Sequence, residues 1–400
     1  MKERKERIAR RVFLGLALLG LFAVPVWTAL GPRSGVSYWE QRALAPIPEV
    51  SAERIWSGEL FADAETFLSD HIAWRDPILK ANTALDLGLG RPKVNDQVVS
   101  ADKLLAAYGF SRWGLDYLGP QAAEAAENYW ALNEKITAYG GYFCYLGLPL
   151  QSSYFASHYP PYLESRLWHT TAIRESFAAA MAAEGVPFLG MYDVYADQGL
   201  PEEYYYATDH HYTIRGALRA AQAAVERINA DTGLGLGALA AEDYDWETLP
   251  NPFLGSSNRK LYGLWENDDA VEVPYLKESI PFTRKDRGEA AEAALFALPD
   301  TAGEDVTYSV YMGGDIAATV IDTGRKELPS LLLYGDSFTN PLECLLWRDF
   351  NVTYCVDFRY ETEKTLDDYL AEYRPDVVLC VRDETTFLSA DGNGTTGGIT

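Results

Sequence analysis

Residues 330–347 read SLLLYGDSFTNPLECLLW. The continuous apolar run predicts a buried strand that ends at Tyr334. Gly335 permits a tight turn, and Ser337 then opens a helix. The order strand, turn, helix puts Ser337 at the carboxyl end of a strand, where open α/β sheets carry their sites. The backbone N–H groups of the helix start point at the same place and suit a developing oxyanion. The Ser337 N–H is the first donor, with Asn340, one turn on, as a helper. Asp336 or Ser337 also fits a plain helix cap, which is the commoner use of such residues. A serine hydroxyl is a poor nucleophile without a base, so this stretch sets a requirement that the rest of the chain has to meet.

The alternation continues on both sides. FNVTYCVDF and PDVVLCVRDE read as strands, with KTLDDYLAEYR as a helix between them. Upstream, a helix is expected over 120–138, stopped by Gly140 and Gly141. YFCYLGL (142–148) is a strand, a helix follows over 163–184, VPFLGMYDVY is strand-like, and TIRGALRAAQAAVERINADTG is a helix. Apolar runs alternating with helices predict a parallel sheet covered on both faces, an α/β fold of three layers. Residues 235–328 show few strong periods and read as an irregular insertion. The tail 391–400, DGNGTTGGIT, has nothing to pack and reads as disordered.

The 400 residues are 48% apolar and 23% charged, with 26 tyrosines and 10 tryptophans. Such aromatics serve core packing first and sugar stacking second. The formal charge is −24. Residues 1–11, MKERKERIARR, carry +4, which leaves −28 on the remainder. An acidic body of this kind argues against a nucleic-acid partner. Residues 12–30, VFLGLALLGLFAVPVWTAL, hold no charge and as a helix would span about 28 Å, close to a bilayer core. With the basic flank cytoplasmic, the body is expected outside the membrane. A cleaved signal peptide is the rival, but no A-x-A pattern precedes a cleavage point near residue 30. Residues 31–95 then form a proline-bearing spacer and a segment of helical periodicity. Cys144, Cys344, Cys355 and Cys380 show no metal-ligand spacing and read as buried thiols.

The base that Ser337 needs is sought in YYYATDHHYTIRGA, residues 204–217. If residues 209–211 are extended, Asp209 and His211 point one way and His210 the other. A carboxylate then holds one imidazole nitrogen while the second faces a serine. On this reading His211 is the base, Asp209 its orienter and His210 support. Asp209 or Thr213 also fits a helix cap. A metal site on His210, His211 and a carboxylate is the weaker alternative, for no tight ligand spacing supports it. No metal and no cofactor are expected.

These motifs resemble the bacterial DHHW proteins, which are similar to the SGNH-hydrolase-like periplasmic subunits of alginate O-acetylation systems. WEQRALAPIP (39–48), FADAETFLSDHIAWRDPI (61–78), TDHHYT, YGDSFTNPL and VDFRY (356–360) carry the likeness, which spans roughly 39–390. Tyr212 stands where the family usually has tryptophan. Asp and His precede Ser, whereas ordinary SGNH hydrolases have the serine early, so the motif order looks circularly permuted. The resemblance implies an SGNH-hydrolase-like domain over 96–390 and a triad of Asp209, His211 and Ser337. It leaves a family glycine unplaced among Gly147, Gly313 and Gly314, and an asparagine unplaced. It also implies transfer of acetyl groups to a cell-surface polysaccharide and a membrane-bound O-acyltransferase partner. Arg359 and Tyr212 are candidate substrate contacts, and Arg359 fits an ion pair equally. A carbohydrate acetylesterase with the same triad and a non-catalytic glycan-binding or assembly protein stay open as alternatives.

Overall fold

The computed structural model describes residues 2–31, 33–110, 114–301 and 303–397. The chain divides into two compact units: Met1–Asn95 with Arg259–Trp265, and Asp96–Asn258 with Glu266–Thr400.

The first unit begins with helix α1 (Lys2–Leu30), whose stretch Arg10–Thr28 is apolar and long enough to cross a membrane, and is not buried in the protein. Three further helices follow, α2 (Ala52–Ser57), α3 (Glu59–His71) and α4 (Arg75–Gly88). The two motif stretches of this unit hold each other. Arg42 grips the buried Asp70 with two nitrogens at 2.8 and 2.5 Å, and Arg75 reaches Glu40 at 2.7 Å. The Arg42 hydrogen bonds pull the Asp70 carboxyl far below its usual range, against the cost of burial.

The second unit is a three-layer sandwich around an eight-stranded sheet. In chain order the strands are β1 (Tyr142–Leu148), β2 (Phe188–Gly190), β3 (Thr283–Asp286), β4 (Glu289–Ala291), β5 (Ala318–Asp322), β6 (Leu331–Gly335), β7 (Val352–Val356) and β8 (Val377–Asp383). Their spatial order is β4-β3-β5-β7-β6-β8-β1-β2. The five strands from β7 to β2 are parallel, and β5, β3 and β4 continue the sheet antiparallel. The central strand β8, buried along its whole length, comes last in the chain.

Strand alternation sorts the core into two layers. Leu146, Leu331, Leu333, Leu379 and Val381 face one side with α7 (Ile214–Thr232) and α8 (Thr339–Leu346). Phe143, Tyr145, Leu332, Tyr334, Val378 and Cys380 face the other with α5 (Leu118–Thr137), α6 (Leu167–Ala183) and α9 (Leu366–Tyr373). This is the α/β/α sandwich with a mostly parallel sheet that the sequence pattern predicts. The four cysteines are buried and unpaired.

Two expectations are corrected. The stretch 235–328, expected as an insertion of loops and short strands, does hold short strands, but three of them, β3, β4 and β5, belong to the main sheet. These strands run only four, three and five residues, too short to display a period. The tail is placed through residue 397. Asn393 is buried, donates to Asp357 at 2.8 Å and accepts the Phe358 N–H at 2.7 Å. Glycine-rich composition hid an anchor made by one polar side chain; residues 398–400 lie outside the described residues.

Helix α8 has every residue buried, Glu343 included. Glu343 accepts from Thr339 Oγ1 at 2.7 Å, and burial pushes its carboxyl up to about 7. The folded protein therefore keeps a proton that the unfolded chain releases. Stability contributed by the neutral form falls as pH rises from the usual carboxylate range through about 7. Glu343→Gln removes this linkage. In denaturant unfolding its free energy of unfolding should gain on wild type as pH rises from about 5 to 8, by up to about 3 kcal/mol at the upper end. A difference that does not change with pH would contradict the assignment.

Candidate active site

Ser337 lies in the turn between β6 and α8. Gly335 is required there by close approach rather than by an unusual φ: a Cβ would meet the Val381 carbonyl and lie 2.7 Å from Thr339 Cγ2. The helix begins at Thr339, two residues later than expected, because Asp336 caps the turn. Its Oδ1 accepts the Phe338 N–H at 3.0 Å and its carbonyl accepts the Thr339 N–H at 2.8 Å. Among the described residues nothing accepts the Ser337 N–H. Burial and the nearby Asp383 push the Asp336 carboxyl up to about 7.

His211 reaches this serine from a loop 126 residues earlier. The loop is bent at residues 207–211 rather than extended. Asp209 makes the bend: its Oδ1 accepts the His211 N–H at 3.0 Å and lies 2.6 Å from His211 Nδ1. The other imidazole nitrogen, Nε2, is 2.6 Å from Ser337 Oγ. Thr213 caps α7, accepting from the Gly216 N–H, so Asp209 is left to His211.

Asp209 is 1% exposed, and its second oxygen accepts the Ser256 N–H at 2.6 Å. Burial alone would raise its pKa. The two histidines and these hydrogen bonds outweigh that and hold the carboxyl far below its usual range. The loop is locked from behind. Asp269 accepts the N–H groups of Ala207 and Thr208 at 2.9 and 2.8 Å, and the Thr208 carbonyl accepts from Ser257 and Asn258. Gly255 makes this close packing possible, for a Cβ there would meet Thr208.

The remaining candidates separate. His210 is exposed and stands 2.8 Å from Ser256 Oγ, a support position. Asn340 is buried and donates to Asp315 at 3.2 Å; Asp315 also pairs with Arg359 at 2.9 Å. Arg359 is further held by Asp357 at 2.5 Å, so its guanidinium is committed to two carboxylates. Asp315 also places the turn carrying Gly313 and Gly314 beside Asn340. Gly147 sits among the rings of Phe387 and Phe188. Tyr212 is not a substrate contact: it is fully buried and donates to the Phe338 carbonyl at 2.5 Å, tying the histidine loop to the serine turn. A full ring's worth of packing surface with one polar tip explains why an aromatic stands there.

Asp209, His210 and His211 present ligand atoms close enough for a metal ion. Both His211 nitrogens, however, are engaged by Asp209 and Ser337. The arrangement fits proton relay better than ligation. Sequence reading missed Ser256, Asp269, Asp315 and Tyr308. The Tyr308 ring stacks on His211 with centroids 3.8 Å apart. All four lie in the irregular stretch, where no period marks which side chain faces the site.

Residues 113–297 match the family of the SGNH hydrolase-like domain of acetyltransferase AlgX; the match includes Asp209 and His211 and stops before Ser337. Among solved structures, PatB1 of Bacillus cereus, determined with a sulfonyl adduct, superposes with a TM-score of 0.61 at 18% identity, covering 76% of this chain and all of that one. A DHHW family protein from Eubacterium siraeum gives a TM-score of 0.55 at 19% identity, covering 76% and 95%. No curated protein sequence matches. The resemblance and the fold read from the motifs are thereby borne out.

Tyr212→Phe should cost about 1 kcal/mol of stability, the net worth of one buried hydrogen bond. Loosening the Phe338 carbonyl should slow covalent labelling of Ser337 by a fluorophosphonate several-fold, at about the rate loss expected of a displaced nucleophile. Stability loss with unchanged labelling would show that the bond serves packing alone.

Proposed function

We propose that this chain is a membrane-anchored, extracytoplasmic serine acyltransferase that O-acetylates a cell-surface polysaccharide. The observation that carries the reading is the unbroken relay Asp209–His211–Ser337, with both links at 2.6 Å. Ser337 Oγ attacks the carbonyl carbon of an acetyl donor while His211 Nε2 takes its proton. The tetrahedral oxyanion forms beside the Ser337 N–H. Collapse breaks the bond to the donor's leaving oxygen, which takes the proton from His211, and an acetyl-serine ester remains. A sugar hydroxyl then gives its proton to His211 and attacks the ester, and Ser337 leaves with that proton restored. Asp209 stays ionised throughout and steadies the imidazolium.

The match to the AlgX acetyltransferase domain favours an acetyl group and a glycan acceptor. The apolar stretch in α1 supports the anchor, with the basic residues 2–11 on the cytoplasmic side. A membrane-embedded protein that delivers acetyl groups across the bilayer is the partner this reading calls for.

The sulfonyl adduct of PatB1 suggests the test, since sulfonyl and phosphonyl fluorides capture activated serines. The full chain is treated with a fluorophosphonate and digested, and the modified peptide is identified by mass spectrometry. Label on Ser337, lost in Ser337→Ala and His211→Ala, is expected. Turnover of p-nitrophenyl acetate should fall at least about a thousandfold in Ser337→Ala. Unlabelled wild-type protein would overturn the relay. Adding an oligosaccharide separates transfer from hydrolysis: acetylated sugar supports the transferase, and free acetate alone points to an esterase.

A further inference from the structure

Tyr308 opens a single helical turn, Tyr308–Val310, outside the regular strand and helix pattern. Its ring lies over the His211 imidazole with centroids 3.8 Å apart and planes 5° from parallel. The other rings on His211 are tilted: His210 at 3.7 Å and 38°, Phe338 at 4.9 Å and 60°. Tyr308 is 6% exposed, and its hydroxyl has no partner among the described residues. What the site uses is therefore the face of the ring.

The backbone around Tyr308 is fixed on both sides. The Leu254 N–H donates to the Val306 carbonyl, the Ala297 N–H to the Val310 carbonyl and the Met312 N–H to the Leu295 carbonyl, each at 2.8 Å. Tyr311 packs edge-on against Tyr308 at 5.3 Å and is itself tied to Tyr206 at 3.0 Å. The ring is thus a wall rather than a mobile side chain. It restricts the imidazole to the plane in which Nδ1 meets Asp209 and Nε2 meets Ser337. The negative face of an aromatic ring also attracts a cation placed over it. His211 becomes that cation each time Ser337 gives up its proton.

We propose that Tyr308 is a positioning residue for His211: its face fixes the imidazole plane in line with Asp209 and Ser337 and stabilises the imidazolium formed during acyl transfer. The inference rests on His211 acting as the base. The titratable groups set against His211 are Asp209 and His210 from its own loop, Asp336 from the serine turn and Tyr308 from the stacking segment. Burial keeps the Tyr308 phenol neutral, so it adds no charge of its own.

The test compares wild-type full chain, Tyr308→Phe and Tyr308→Leu for p-nitrophenyl acetate hydrolysis between about pH 5 and 9, with melting temperatures alongside. The phenylalanine variant keeps the face and should stay within about twofold of wild type. The leucine variant should lose about tenfold in kcat with KM little changed, the size of a desolvated cation–π contact. Its acid limb should move to lower pH by about half a unit to one unit, because losing the face disfavours the imidazolium. An unmoved acid limb in the leucine variant, or equal damage in the phenylalanine variant, overturns the proposal. Ser337→Ala run in parallel separates the two levels: full activity there sinks the base reading itself, whereas an inactive Ser337→Ala with an unaffected leucine variant sinks only the role of Tyr308.

Discussion

Asp209 is a carboxylate removed from water, and the order around it follows from the need to replace that water. Ionised and 1% exposed, it would be intolerable alone. Three N–H groups meet it: the backbone and ring of His211 on one oxygen, the backbone of Ser256 on the other. Each donor needs a fixed position. The Thr208 carbonyl therefore receives two N–H groups from the Ser256 segment, and Asp269 grips the loop from the far side. The imidazole inherits its aim from this solvation shell, and Ser337 is the group it is aimed at.

Much of this was legible in the sequence because the carriers obey period. The strand and helix around Ser337 announce themselves by an unbroken apolar run and a glycine. The flanking alternation then gives the layers. The bond between Asp209 and His211 was legible for a different reason: two residues of spacing allow one carboxylate to reach an imidazole in more than one backbone shape. The loop uses a bend where an extended segment was expected, yet the side chains still meet.

What stayed hidden is held by single side chains in aperiodic backbone. Tyr308 and Ser256 lie about a hundred and about fifty residues from His211, in a region whose strands are all five residues or shorter among the described residues. Nothing local distinguishes Tyr308 among 26 tyrosines. Tyr212 misled for the opposite reason. An aromatic inside a functional motif invites a substrate role, but its burial shows it to be a strut between the histidine loop and the serine turn. The tail misled through composition, since one buried asparagine suffices to anchor a glycine-rich segment.

The position of β8 has a consequence for how the molecule comes into being. This strand lies between β6 and β1, yet it is the last strand in the chain. Its partner β1 is separated from it by more than two hundred residues, a pairing that ranks among the slowest classes of contact to form. Without β8 the strand pairing falls into two unjoined halves, with β1 and β2 in one and β6 and β7 in the other. The histidine loop follows the first half, and the serine turn belongs to the second. Joining the half that carries His211 to the half that carries Ser337 thus waits on β8, which pairs with β6 on one side and β1 on the other.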